Sequence, residues 1–224
     1  MQTQRRRSRD HMKVAILGTG VVGQALARGF LGLQDEVAIG TRDPASDSAR
    51  KVADEVPGAR VVPFAEAART CELAVLATAW SGTESALELA GPANLAGKVL
   101  IDATNPLDFS GGVPPKLAVG HTTSAGELVQ AWAPAARVVK AFNIVPAPLM
   151  VNPELKGGPP TMFIAGNDAA AREAVADILH RFGWESIDLG GIEQSRLLEP
   201  LAMVFITYAF KFNHWKAAFK LLRA

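Results

Sequence analysis

From position 18 to 23 the chain reads Gly18-Thr19-Gly20-Val21-Val22-Gly23, three glycines at a spacing that gives each a use. In a strand-to-helix turn the first permits a tight reversal. The second lets a pyrophosphate approach the main chain, and the third lets the helix lie close to the strand. Amide groups at the helix start, around Val21 and Val22, then face the negative phosphates. Alone the string is a weak signal, and a glycine turn without a ligand would satisfy it. Its setting strengthens it: the apolar run Val14-Ala15-Ile16-Leu17 leads in, and a helical pattern leads out to about Leu31.

The end of the second expected strand selects the nucleotide. NAD sites usually carry a carboxylate there, which accepts hydrogen bonds from the ribose hydroxyls. Here Gly40 holds that position, followed by Thr41 and Arg42. No carboxylate would repel a 2′-phosphate, while a hydroxyl and a guanidinium fork are at hand to receive one. NADP(H) is therefore expected over NAD(H). Asp43 lies past the strand and is expected to start the next helix.

Further candidates line up at other strand ends, where ligands of open α/β sheets bind. Ala77 and Ala79 are small enough to admit a cofactor beside Thr78. Trp80 either lines the same cleft or fills the core. Asn105, in the Asn105-Pro106-Leu107 loop, and Asn143, at the end of a sixth strand, converge on the nicotinamide if the strand order is of the Rossmann type. Asn143 would offer a neutral group able to donate to a carbonyl and accept from a ring N–H of a hydride acceptor. The alternative is a backbone cap before Pro146. Lys140 reads as a surface lysine at a strand end. No catalytic acid–base pair stands out. That agrees with hydride transfer between two bound ring systems, which needs orientation and exclusion of water more than proton machinery.

The elements that must position these residues alternate from Lys13 onward. Strands are expected at 14–17, 36–40, 60–62, 73–77, 98–101 and 137–141, and helices from the Gly18–Gly23 turn to about 31 and at about 45–56, 81–90 and 124–132. This is the rhythm of a doubly wound parallel sheet, an α/β Rossmann-type fold. The Pro- and Gly-rich stretch 102–123 is expected as a long loop. Beyond Met150 a small C-terminal α/β extension follows, with strands at 161–165 and 184–189 and a helix at 168–182. From about Pro200, placed in the first turn, a long helix carries Leu201, Val204, Phe205, Tyr208, Phe212, Trp215, Phe219 and Leu222 as an apolar stripe. That stripe is either core or the face of a homodimer. The domain division expected is 13–150 for the dinucleotide-binding part and 151–224 for a smaller part serving dimerisation and the acceptor pocket.

Composition sets limits. Of 224 residues, 49% are hydrophobic and 20% charged, the balance of a globular protein. The net charge is +1, but Arg5, Arg6, Arg7 and Arg9 against Asp10 place a surplus of three in the first twelve residues. The remainder is slightly acidic, which argues against nucleic acid as a partner. Residues 1–12 are expected to be a disordered leader or tag remnant, with Met12 a candidate natural start. Cys71 is the only cysteine, so no internal disulfide forms, which fits a cytoplasmic protein. The four histidines are too far apart to suggest a metal site, and the apolar run 197–210 is too short and interrupted to span a membrane.

The segments GTGVVG, IGTRDP, AVLATAW, VVKAFNIV and EQSRLLEPLAMVF…FKFN together resemble the NADPH-dependent reductases of the deazaflavin coenzyme F420. The resemblance runs over nearly the whole chain from Lys13, and the last two segments discriminate best. It implies hydride transfer between NADP(H) and the 8-hydroxy-5-deazaflavin, a Rossmann domain, and a small C-terminal domain that forms a dimer. It also implies 2′-phosphate contacts at Thr19, Thr41 and Arg42. Archaeal members carry a lysine four residues after that arginine, where this chain has Ser46, and a histidine near the deazaflavin, where it has Asn143. Flavin or a small carbonyl compound remains an alternative acceptor, and an NADP(H)-binding redox sensor a non-enzymatic one. Only 74 residues follow Met150, too few for the large helical domain of the related hydroxyacid dehydrogenases.

Overall fold

Strand β1, Lys13–Leu17, is buried from its second residue onward. Its side chains alternate between two cores: Val14 and Ile16 enter one, Ala15 and Leu17 the other. Both faces of the sheet are thus covered, which explains why the strand reads as a continuous apolar run. The computed structural model describes residues 11–224, so the leader expected at 1–12 lies outside it except for its last two residues.

Helix α1 (Val21–Gly32) leads to β2 (Glu36–Thr41), α2 (Asp47–Glu55) and β3 (Arg60–Pro63). Next come α3 (Phe64–Thr70), β4 (Leu73–Leu76), α4 (Thr83–Ala90) and β5 (Val99–Asp102). A short hairpin of β6 (Leu107–Asp108) and β7 (Lys116–Leu117) precedes α5 (Ala125–Trp132) and β8 (Arg137–Lys140). The chain finishes with β9 (Thr161–Gly166), α6 (Ala169–Arg181), β10 (Glu185–Asp188) and α7 (Ser195–Phe212). The eight-stranded sheet runs β10-β9-β8-β5-β4-β1-β2-β3. Every pairing in it is parallel except that of β8 with β9. Helices α1, α2 and α6 feed one core and α3, α4 and α5 the other. The doubly wound α/β fold is therefore the one expected, and the C-terminal strands continue the same sheet.

Several local expectations need correction. Helix α3 was not foreseen: Pro63 opens it, and seven residues give too short a pattern to register. The 102–123 stretch is not all loop, since it holds the β6–β7 hairpin. Ser46, not Asp43, caps α2, accepting from the Ala49 amide, while Asp43 accepts from the Ala45 amide two residues on.

The last helix is long, but it starts five residues before Pro200 and stops at Phe212. Pro200 sits inside it, with an exposed side chain, so its ring clears the core. Asn213 adopts a left-handed conformation (φ 46°, ψ 43°) and ends the helix. Residues 214–224 then turn back. The Thr161 amide donates to the Phe219 carbonyl at 2.8 Å, and the Leu221 amide to Thr161 Oγ1 at 3.1 Å. Trp215, Phe219 and Leu222 are therefore not on the helix. Their spacing mimics a helical stripe because Trp215 packs on Phe205 and Phe219 reaches the core that α7 also covers.

Phe182, 1% exposed, holds α6 to the sheet, its ring 5.2 Å from Phe30 and 6.1 Å from Phe142. Phe182→Ala should cost about 3–5 kcal/mol of unfolding free energy. Urea denaturation of the variant measures it, and a loss well under that range would show that the core closes over the gap.

Candidate functional site

The Gly18–Gly23 turn joins β1 to α1. Gly18 has φ +128°, and a Cβ there would run into the Ala77 carbonyl at the end of β4. Gly23 lies so close to the same turn that a Cβ would strike the Gly18 carbonyl oxygen. At Gly20, the residue before the first turn of α1, a Cβ would meet nothing within 4 Å. The turn therefore has two glycines for internal closeness and one whose missing side chain leaves the main chain open.

That opening faces a cleft of about 600 Å³. Of the residues picked from sequence, Gly18, Thr19, Gly20, Thr41, Arg42, Ala77, Thr78 and Ala79 line it together. Sequence reasoning missed Asp43, Ser46, Ser48, Phe64, Ser81, Gly82 and Ser85, which line it too. The serines fall at the starts of α2 and α4, where small polar residues read as ordinary caps. Gly40 is also in the wall, and a side chain there would meet the Phe64 ring at 2.9 Å. Packing of α3 thus excludes a carboxylate from the place where one would read ribose hydroxyls. Thr41 is buried at the strand end, and Arg42 is exposed at the cleft mouth.

Six picked residues stand elsewhere. Val21 is 73% exposed on the first turn of α1, Val22 packs on the core, and Gly23 lies behind the turn. Trp80 does not line the cleft; its ring lies against Trp132 of α5, 5.5 Å between centroids. Asn105 and Asn143 face each other across the carboxyl ends of β5 and β8. Asn105 Nδ2 donates to the Asn143 carbonyl at 2.7 Å, and Asn143 Nδ2 donates to Asn105 Oδ1 at 3.1 Å and to the Leu198 carbonyl of α7 at 3.0 Å. Both amide protons of Asn143 are thus committed, so it has none left to donate to a carbonyl, contrary to the sequence reading. Its Oδ1 is buried and finds no hydrogen-bond partner among the described residues.

Lys140 is the largest correction. Expected at the surface, it is wholly buried. Its Nζ lies 2.9 Å from Asp102 Oδ2 and 2.9 Å from Glu199 Oε1, and donates to the Thr104 carbonyl at 2.8 Å. Burial alone pushes its pKa down, but the two carboxylates outweigh this and hold it above the ordinary lysine value. Glu199 also accepts from the Ala125 and Gly126 amides at 2.9 and 3.0 Å, at the start of α5. Asp102 Oδ1 accepts from the Thr104 amide and hydroxyl. A lysine that ends an apolar strand gives no local sign of its partners, which come from 38 residues before it and 59 after it. Among the described residues no group of His, Cys, Asp or Glu is placed to hold a metal ion, and no helix is long and apolar enough to cross a membrane.

The turn geometry separates two substitutions. Gly20→Val should leave a folded protein that no longer binds a dinucleotide, because the branched side chain fills the approach to the main chain. Gly18→Val should unfold at lower temperature, because its φ is unsuited to a β-branched residue. Circular dichroism melting with a fluorescence titration of the nucleotide measures both; normal binding by folded Gly20→Val would refute the cradle.

The family described as NADP oxidoreductase, coenzyme F420-dependent, matches residues 13–106. The F420-dependent NADP reductase of Methanothermobacter marburgensis is 32% identical over 216 residues, spanning 89% of this chain and 93% of that one. Metalloreductase STEAP3 of Rattus norvegicus is 30% identical over 193 residues, 85% of this chain; the chain spans only 36% of that protein's length. A crystal structure of a candidate F420-dependent NADP reductase from Arthrobacter sp. FB24 superposes with a TM-score of 0.90 at 42% identity, covering 95% of this chain and all of that one. A reductive aminase from Aspergillus terreus, at 22% identity and a TM-score of 0.64, shares the fold. With a full-length relative above 30% identity and a cleft built on the expected turn, the chain belongs to the F420-dependent NADP reductase family.

Proposed function

We propose that the protein is an oxidoreductase that transfers a hydride between NADP(H) and the deazaflavin coenzyme F420. The observation that carries this is the cleft at the β1–α1 turn, with Gly40, Thr41 and Arg42 at one end, in a chain whose full-length relatives are named for that reaction. In the reducing direction NADPH and oxidised deazaflavin take up one proton and give NADP⁺ and reduced deazaflavin.

Each part of the chain has a task in this reading. The open main chain at Gly20, with the amides of Val21 and Val22, receives the pyrophosphate. Thr19, Thr41 and Arg42 receive the 2′-phosphate, Arg42 through a charge-assisted bond. Ser46 and Ser48 stand in the same wall where the archaeal lysine is missing; the Ser46 hydroxyl is taken by the Asp43 carbonyl and the Ala49 amide, so Ser48 is the one to turn toward a phosphate. Ala77 and Ala79 leave room for the nucleotide beside β4. Bound NADPH supplies the hydride; the chain orients the rings and keeps water out. The acceptor side lies toward β5 and β8, where Asn105 and Asn143 stand. Asn143 Oδ1 is sealed beneath the pair, so the half-buried Asn105, which receives the Asn143 amide, is the member that faces the acceptor side.

The C-terminal part, 151–224, belongs in this reading to a homodimer. Helix α7 and the returning tail leave Leu197, Val204, Tyr208, Phe212 and Leu222 exposed, and a second copy would cover them. The single cysteine, Cys71, is a buried free thiol, which suits the cytoplasm.

Two experiments test the reading. Arg42→Ala should weaken NADPH binding by roughly 1.5–3 kcal/mol, the size of a charge-assisted hydrogen bond, with NADH binding nearly unchanged. Equal losses for both nucleotides in titration calorimetry would show that Arg42 does not read the 2′-phosphate. Anaerobic NADPH oxidation with deazaflavin, FMN and small carbonyl compounds side by side should proceed fastest with the deazaflavin. Light scattering should give twice the chain mass at micromolar concentration, and a monomer would remove the dimer.

A further inference from the structure

Helix α7 takes an unusual path. It starts beside α5 and ends, through Ala202, Phe205, Ile206 and Ala209, in the core on the other face of the sheet. It therefore crosses over the carboxyl edge at β5 and β8. Near its start three contacts pin it. Arg196 Nε donates to Glu127 Oε2 of α5 at 2.8 Å. Glu199 binds the first amides of α5 and the Lys140 ammonium. Between them, the Leu198 carbonyl receives the Asn143 amide.

The topology says what lies beneath this crossing. Strand β4, whose end lines the cleft, is the neighbour of β5, and β5 of β8. The Arg42 end of the cleft lies at β2, so the nicotinamide end points toward β5 and β8, under α7. An acceptor ring that meets the nicotinamide has to be bounded by the residues at those two strand ends. Their placement depends on α7, because Asn143 takes one of its two amide partners from it.

We propose that Glu199 is a positioning residue for hydride transfer: together with Lys140 it fixes α7 across the ends of β5 and β8, and α7, through the Leu198 carbonyl, sets Asn143 and, by the Asn143 amide, the half-buried Asn105 that bounds the acceptor side. The proposal rests on the acceptor side assigned above. Glu199 is suited to the task because one carboxylate serves two donors of different origin. Its oxygens take the α5 amides, whose helix end carries partial positive charge, and the ammonium of β8. A neutral carboxamide of the same shape would turn an N–H group toward one of these donors. The helix would shift there and nowhere near the Gly18–Gly23 turn.

The test is a single-turnover experiment on the whole chain carrying Glu199→Gln. Enzyme loaded with no more than one equivalent of NADPH, at concentrations well above the dissociation constant, is mixed with excess oxidised deazaflavin, and the fast loss of dihydronicotinamide absorbance gives both a rate constant and an amplitude. A shortage of folded enzyme lowers the amplitude and leaves the rate constant alone, whereas a displaced acceptor wall lowers the rate constant. The hydride rate constant should fall by roughly tenfold or more, since misplacement by about 1 Å can cost about a hundredfold. The amplitude should hold, and the NADPH dissociation constant should stay within about twofold. Because a buried lysine that loses a carboxylate can unfold a protein, Arg196→Ala is measured in parallel. It frees the same helix from its half-exposed side, leaves no charge buried, and should slow the step in the same direction by about threefold. Unchanged rate constants in the folded variants would overturn the proposal. So would rate constant and NADPH affinity falling by the same factor, the sign of general loosening. Wild-type enzyme that transfers no hydride to deazaflavin would instead overturn the assigned function, and the positioning role with it.

Discussion

A lysine ammonium sealed from water must be answered by negative charge, and in this protein the answer organises a whole edge of the sheet. Lys140 has no exposed surface and three oxygen partners, which matches its three protons. The two carboxylates that face it come from the end of β5 and from α7. Desolvating such a cluster is costly, and the cost is recovered only when every member is satisfied. That condition is met: Asp102 closes on Thr104, and Glu199 on the start of α5. Four segments distant in sequence are thereby held in one register, and α7 has little choice but to cross the strand ends where it does.

The other half of the molecule obeys a steric constraint rather than an ionic one. Gly18, Gly23 and the Ala77 carbonyl crowd together so that the β1–α1 turn can be tight, and Gly20 stays open as a result. A similar exclusion acts at the strand end beside it. Phe64 of α3 occupies the space of a side chain at position 40, so the nucleotide end is defined as much by what cannot be placed there as by Arg42. The cleft and the acceptor side thus rest on separate foundations. One is packing around β1 and β4, the other charge pairing around β5 and β8. Changes to one need not propagate to the other.

Helix α7 and the tail beyond it show how the ionic edge reaches the surface. Once α7 is pinned over the strand ends, one flank fills the core with Phe205, Ile206 and Ala209. The opposite flank presents Leu197, Val204 and Tyr208 outward. The tail returns beside the helix and lies along the start of β9, giving an apolar ridge rather than a free helix end.

Much of this was legible in the sequence because it is local. Strand periodicity, the glycine spacing next to an apolar run, the missing carboxylate at Gly40 and the caps of helices are set by neighbouring residues. They identified the α/β class, the turn and about half of the cleft wall. Lys140 was misread because the same chemistry, a lysine ending a strand, suits solvent or burial. The decision lies with Asp102 and Glu199, brought to it only by folding. The choice between cleft and core at Trp80 stayed open for a related reason, since Trp132, which its ring meets, arrives from α5, 52 residues on in the chain but adjacent in space. The tail kept a helical rhythm past Asn213 because spacing records which residues meet a core, not whether the backbone between them is still a helix. The sequence by itself therefore determined the fold class and the dinucleotide turn, where short-range sterics and hydrophobic periodicity suffice. Tertiary structure alone decided the path of α7 and the setting of Asn143, because buried charges can be satisfied only by partners that the chain delivers from far away.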